Sequence, residues 1–274
     1  MNLAQARVVL RPRGVAEIFD LALRFVVAGR RTFARITLLT TALVGGLVLQ
    51  LGIFKVIDEP EHVWIVLGLV TPWIVGLHVI ASARLLFDGR PPLRAIFGHF
   101  ARRVVPFTVA SALVVALVAL GALFAIGAPI VAAYTLFYVE GALLEGQGPL
   151  AALGRARRLL THRFGVALLI VLGLAAMSAV IVAAAESLGH AIVGTIFQLG
   201  EPFGSFERDW ISLYTVLGYL LSLPLVGAVH FLSYIDLRTR QDGWDLQVRF
   251  MGLAAADERE DPGTRGEAEM EARR

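Results

Sequence analysis

The chain has 274 residues, 57% of them apolar and 17% charged, against roughly 25% charged in typical soluble proteins. A mean hydropathy of +0.72, with the charge confined between long uncharged runs, excludes a disordered chain or a coiled coil and points to segments solvated by lipid. The net charge of only +3 excludes a nucleic-acid binder, despite a pI of about 9.7. Cysteine is absent, so disulfides, thiolate catalysis and Cys-based metal sites are excluded too. Lys55 is the sole lysine among 25 basic residues, which reads as composition bias.

A helix needs about 20 apolar residues to cross a hydrocarbon core of ~30 Å. The first predicted element, over 14–30, is too polar for that. Glu17, Asp20, Arg24 and Arg31 share one face at helical spacing, opposite Ile18, Leu21 and Phe25. It is expected to lie in the membrane surface, where arginines on the polar face favour anionic lipid. No cleavable leader is expected there, because acids interrupt the apolar run.

Spans are predicted over 36–54 and 63–87. A second surface helix is expected over 92–103, setting Leu93, Ile96, Phe97 and Phe100 against Arg94, His99, Arg102 and Arg103. The next apolar run is too long for one crossing. Gly127 and Pro129 divide it into spans 104–126 and 128–144, since Gly tolerates tight turns and Pro starts a helix better than it continues one. A third surface helix, 149–163, sets Leu150, Leu153 and Leu160 against Arg155, Arg158 and His162. Spans 165–185 and 210–235 follow. The whole is one all-α membrane domain over 1–253, with six crossings arranged as three hairpins. Residues 254–274 carry seven acids and four arginines without apolar periodicity, and are expected to form a disordered cytoplasmic tail.

The predicted crossings leave only Lys55 and Arg208 on one flank and the other 23 basic residues on the opposite one. Asp58, Glu59 and Glu61, then Glu201, Glu207 and Asp209, occupy the arginine-poor loops. Arginine-rich short loops stay cytoplasmic, so both termini are expected inside.

The second helix of each hairpin echoes the others. "TPWIVGLHVIASARLLFDGRPPL" from Thr71, "APIVAAYTLFYVEGALLEGQGPL" from Ala128 and "LPLVGAVHFLSYIDLRTRQDGWDL" from Leu223 each place Pro second. Each places His78, Thr135 or His230 six residues later, and each closes on an acid–Gly pair: Asp88-Gly89, Glu145-Gly146 or Asp242-Gly243. Repeats of this kind often gather ligand sites where broken or kinked helices meet.

Three segments, "LRPRGVAEIFDLALRF", "VEGALLEGQGPLAALGRARRLLTHRFGVALLIV" and "YIDLRTRQDGWDLQVRF", resemble the six-helix membrane domain attached to some bacterial glycerophosphodiester phosphodiesterases, which also has stand-alone relatives of unknown function. The resemblance covers about residues 8–252 and rests on loose patterns of acids, Arg and Gly. It implies the six-helix fold and a bacterial inner membrane. It implies no activity, because that domain has no catalytic residues of its own, and no counterpart of the soluble phosphodiesterase barrel is expected here.

An ionisable group inside a span is a functional candidate, since burying it costs about 3 kcal/mol on insertion scales. Glu140 has two readings: a carboxylate paired with an arginine of a surface helix, or an interior carboxylate that binds a proton or ligand. His78, Thr135 and His230 either pack within the bundle or join Glu140 in a polar interior. Glu186 and His190, four apart, are expected to pair locally. Asp88, Glu145, Asp236 and Asp242 sit at helix C-termini, where a carboxylate opposes the helix dipole. They are expected to pair with arginines of the adjacent surface helix and so lock hairpin to hairpin.

No nucleotide loop, zinc-protease pair or nucleophile elbow is present, and no metal or cofactor is expected. The expected function is therefore a non-enzymatic membrane module that binds lipid or organises a protein partner. Arg30, Arg31, Arg102, Arg103, Arg155, Arg157 and Arg158 are the candidate contacts to anionic headgroups. The alternative is a small transporter or lipid-translocating protein with a polar interior of His78, Thr135, Glu140 and His230.

Overall fold

Uninterrupted apolar runs leave the backbone no partner but itself, and in the computed structural model every element among the described residues is helical. Residues 13–53, 60–89, 91–124, 126–161, 163–200 and 205–241 are described. Arg7, Arg11, Lys55, Asp58, Glu59, Arg90, His162, Glu201, Asp242 and the 254–274 tail lie outside them. The elements are α1 Val15–Ala28, α2 Arg30–Ile53, α3 Pro60–Phe87, α4 Leu93–Ala122, α5 Gly127–Thr135, α6 Tyr138–Leu143, α7 Pro149–Leu160, α8 Phe164–His190, α9 Phe206–Asp209 and α10 Leu213–Gln241. A π-helical turn, Ala191–Ile196, extends α8.

Five of these helices, α2, α3, α4, α8 with its π turn, and α10, are long and apolar enough to cross a membrane, and the stretch Gly127–Leu143 is shorter. Leu38, Leu69, Leu120, Leu169, Leu188 and Leu221 are exposed on their outer faces. So much uncovered leucine suits a hydrocarbon solvent and is foreign to a monomer in water. The chain is thus an all-helical protein of multi-pass membrane character.

Two expected boundaries are corrected. The 92–103 segment is not a separate surface helix: α4 runs unbroken through it into the expected third span. Nothing before Pro106 stops the helix, and Pro106 removes only one backbone bond. Phe100 and Phe107, stacked edge to face at 5.7 Å, hold both halves on one packing face. The expected single helix 128–144 is broken at Leu136 and Phe137 into α5 and α6. The Thr135 hydroxyl donates to the Val131 carbonyl at 2.9 Å, which offers the backbone an alternative to the helical ladder. The Leu136 amide turns to Ala133, three residues back.

Close helix approaches are made at glycines. A Cβ on Gly127 would lie 2.2 Å from the Gly121 carbonyl oxygen, so the α4–α5 turn folds back on itself only without one. A Cβ on Gly227 of α10 would lie 2.5 Å from the His78 Cβ of α3.

At one end of the bundle Arg13, just before α1, is clasped to α10. The Arg13 amide donates to Asp236 at 2.7 Å, and Arg240 donates to the Arg13 carbonyl at 2.6 Å. That clasp seats α1 on α10, with Ile18 and Ala22 buried. At the other end, the Trp64 indole of α3 donates to the Trp210 carbonyl at 3.0 Å, and Thr71 shares a 2.7 Å hydrogen bond with Tyr219.

Gly127→Ala is expected to cost about 1–3 kcal/mol by overpacking the turn, read as a lower midpoint of unfolding in detergent. An unchanged midpoint would show that the turn relaxes freely.

Candidate functional site

The break between α5 and α6 is where the interior polar residues collect. Thr135 ends α5, and Glu140 sits three residues past the interruption, in the first turn of α6. Glu140 is completely buried, and neither carboxylate oxygen has a hydrogen-bond partner. Across from it stands His230 of α10, whose Nδ1 lies 3.8 Å from Glu140 Oε1, too far for a hydrogen bond. This Nδ1 also lacks a partner. Of the two readings of Glu140, the pair with a surface-helix arginine is not made among the described residues, because Glu140 is turned into the bundle.

A cavity of about 230 Å³ adjoins this pair, with His230, Thr135, Thr71 and Tyr138 among its polar lining and Val75, Val114 and Leu174 among its apolar lining. The ring of Tyr138 stacks parallel on Phe107 at 6.1 Å, and its hydroxyl reaches Ser111. Two of the four candidates, Thr135 and His230, face one cavity, with Glu140 against His230. His78 is fully buried with both ring nitrogens unpartnered, but it packs against Phe33, at 5.8 Å between ring centroids, and Gly227. It contacts the site only through α10, whose Gly227 lies one turn before His230. Tyr134, adjacent to Thr135 in sequence, turns outward and stacks on Phe164 at 4.7 Å.

A second polar constellation lies past the C-terminal end of α6. Glu145 pairs with Arg155 of α7 at 3.3 Å and with Arg238 of α10 at 3.2 Å. It also accepts hydrogen bonds from Tyr234 and, at 2.8 Å, from Gln147. One carboxylate thus ties α7 and α10 to the end of the broken helix, as expected of an acid in this position. The other two described acids behave differently. Asp88 pairs with Arg84 and Asp236 with Arg240, each four residues away on its own chain segment. The reason is reach, since an i,i+4 partner is already at hand. Arg103 donates to the Gly146 carbonyl at 2.8 Å. Gly146 has φ +70, which favours glycine, and a Cβ there would lie 2.4 Å from the Arg103 guanidinium and displace it. His99 reaches the Leu143 carbonyl at 2.9 Å and caps the end of α6.

These bonds divide the candidate arginines. Arg155 is held by Glu145, and Arg103 by Gly146. Arg30, Arg31, Arg102, Arg157 and Arg158 are exposed, and no ion pair joins them to another described residue. Tyr234 and Arg238 were not singled out from the sequence, although their i,i+4 spacing on a helix end signals a pair. Glu186 and His190 pair at 3.0 Å as expected, and Ser212 and the Phe206 amide also donate to Glu186. Comparison of the chain with family models, with characterised proteins and with solved structures gives no match.

Glu145→Gln removes the charge from both ion pairs and leaves Arg155, Arg238, Tyr234 and Gln147 one neutral acceptor oxygen to share. It is expected to destabilise the protein by about 1–3 kcal/mol, with the larger loss of protection from hydrogen exchange in α7. Equal stability would show that the surrounding donors re-pair without it.

Proposed function

We propose that this protein is a six-crossing module of a bacterial cytoplasmic membrane that binds anionic lipid headgroups at its cytoplasmic face and has no enzymatic activity of its own. The observation that carries this reading is the division of the arginines. Arg30, Arg31, Arg102, Arg157 and Arg158 stand exposed without carboxylate partners among the described residues, whereas Arg24, Arg84, Arg155, Arg238 and Arg240 are ion-paired. Exposed guanidinium groups at a membrane surface find their counter-charge in anionic lipid, worth about 1 kcal/mol per residue. Arginine also binds phosphate bidentately.

Six crossings are favoured because the broken α5–α6 segment, Gly127–Leu143, is about 25 Å long at the helical rise, close to the hydrocarbon thickness. It returns the chain from the far end of α4 to the end where α7 begins. The bonds from Arg103, Arg155 and Arg238 around Gly146 and Glu145 place the arginine-bearing ends of α4, α7 and α10 together, which fits both termini lying inside. In this reading α1, the start of α4 and α7 form the surface layer, three related hairpins form the bundle, and the architecture is that of the six-helix domain the sequence resembles. A second reading, a small transporter or lipid-translocating protein, is favoured by the cavity at the helix break. It requires solute or lipid flux in reconstituted vesicles, which lipid binding alone does not.

Because the chain has no native cysteine, its orientation can be read by labelling. Single cysteines at Phe124 and Leu199 are expected to react with an impermeant maleimide added to intact cells, and one at Gly148, where an added Cβ meets nothing, only after lysis. The reverse pattern would invert the topology. Replacing Arg102, Arg157 and Arg158 together by Gln is expected to lower the ratio of anionic to zwitterionic lipid retained in mild detergent several-fold, by mass spectrometry. An unchanged ratio would remove the lipid-binding reading.

A further inference from the structure

The interior site is not used by a headgroup-binding surface, and it is built in a way that surface does not need. Its helix is interrupted at Leu136 and Phe137, where unbroken hydrogen bonding would be the cheaper arrangement in lipid. Directly after the interruption comes a fully buried carboxyl with two unpartnered oxygens. Across from it, at 3.8 Å, stands an imidazole whose near nitrogen is also unpartnered. That imidazole borders a cavity of about 230 Å³, large enough for several waters.

We propose that Glu140 and His230 form a single proton-binding site, with His230 standing between Glu140 and this cavity. Charge balance in a low-dielectric interior is the warrant. With Glu140 ionised and His230 neutral, the pair carries a negative charge that no donor compensates, an arrangement that costs several kcal/mol per ion. One added proton brings the net charge to zero wherever it resides. On His230 it makes an imidazolium beside a carboxylate. On Glu140 it makes a neutral acid beside a neutral imidazole. Moving between these forms breaks one N–H bond at Nδ1, makes one O–H bond at Oε1 and cancels both charges, with no other reactant.

The other titratable groups around the pair are accounted for. On elements packed against α6, His99 of α4 is bonded to the Leu143 carbonyl, and Arg155 of α7 is held by Glu145. His78 of α3 lies against Phe33 and Gly227. Tyr138 of α6 itself reaches Ser111, Tyr234 and Arg238 of α10 are bonded to Glu145, and Glu186 and His190 of α8 pair with each other. Of the groups on α1 and α2, Asp20 and Arg24 pair together, and Arg30, Arg31 and Arg35 are exposed. The Leu136 backbone takes the other side of the His230 ring, and Nδ1 faces Glu140. Buried carboxylates and histidines serve as proton relays in membrane proteins, and discontinuous helices border their binding sites.

Infrared difference spectra of the full-length protein in lipid, recorded across a pH titration, test this directly. The wild type is expected to show a titrating protonated-carboxyl band that Glu140→Gln removes and Glu140→Asp retains. His230→Gln is expected to move the midpoint of that band by about one pH unit or more, the mark of coupled sites. A band that survives in Glu140→Gln, no band in the wild type, or an unmoved midpoint in His230→Gln would overturn the proposal. Should Glu140→Gln fail to fold, His230→Gln decides it alone. The readout is independent of lipid retention, so loss of the headgroup reading leaves this one standing, and the converse also holds.

Discussion

Hydrocarbon supplies no hydrogen bonds, and a polar group inside it must find its partner within the protein. That constraint accounts for most of this structure. It makes every described element helical and sends hydroxyls such as Thr40, Ser82, Thr108 and Thr239 back to carbonyls one turn earlier. It also gathers the described carboxylates at helix ends, where arginines and backbone amides reach them. Besides the Thr37 and Ser233 hydroxyls and the Gln147 amide oxygen, the unpartnered buried atoms include three sets on ionisable groups: both ring nitrogens of His78, both oxygens of Glu140, and Nδ1 of His230. They lie on α3, α6 and α10, whose α3–α10 contact is close enough to demand glycine at Gly227.

The two carboxylates of α6 and the turn after it show how five residues of separation change the chemistry. Glu145, past the helix end, has four donors and acts as a rivet between α7 and α10. Glu140, one turn inside, has no donor and is enclosed on all sides. The difference arises from the break at Leu136 and Phe137, which re-aims the short helix α6.

The arginines divide on the same principle. Arg155 and Arg238 join α7 and α10 to the end of α6 through Glu145. Arg24, Arg84 and Arg240 each pair with an acid four residues away on their own chain segment. Arg30, Arg31, Arg102, Arg157 and Arg158 stand exposed at the end of the bundle where α2 starts, α4 starts and α7 lies. This last group presents unneutralised charge to whatever lies beside the protein, and in a membrane that is the headgroup layer.

Composition and the spacing of apolar runs were enough to establish a helical membrane protein, the placing of most helices, the turn at Gly127 and the local Glu186–His190 pair, because each depends on solvent preference or on contacts within one or two turns. They also marked Glu140, His230 and Thr135, since an ionisable or hydroxyl group inside an apolar run is visible without coordinates. The continuity of α4 through Arg102 and Arg103 was not legible, because whether a helix stops at an amphipathic boundary depends on what packs against Phe100 and Phe107. Nor was the break between α5 and α6, which turns on competition for single carbonyls. Which arginine each acid takes was decided only by the tertiary structure, because Glu145 meets Arg238 from 93 positions away in the chain, a distance over which sequence spacing carries no geometric information.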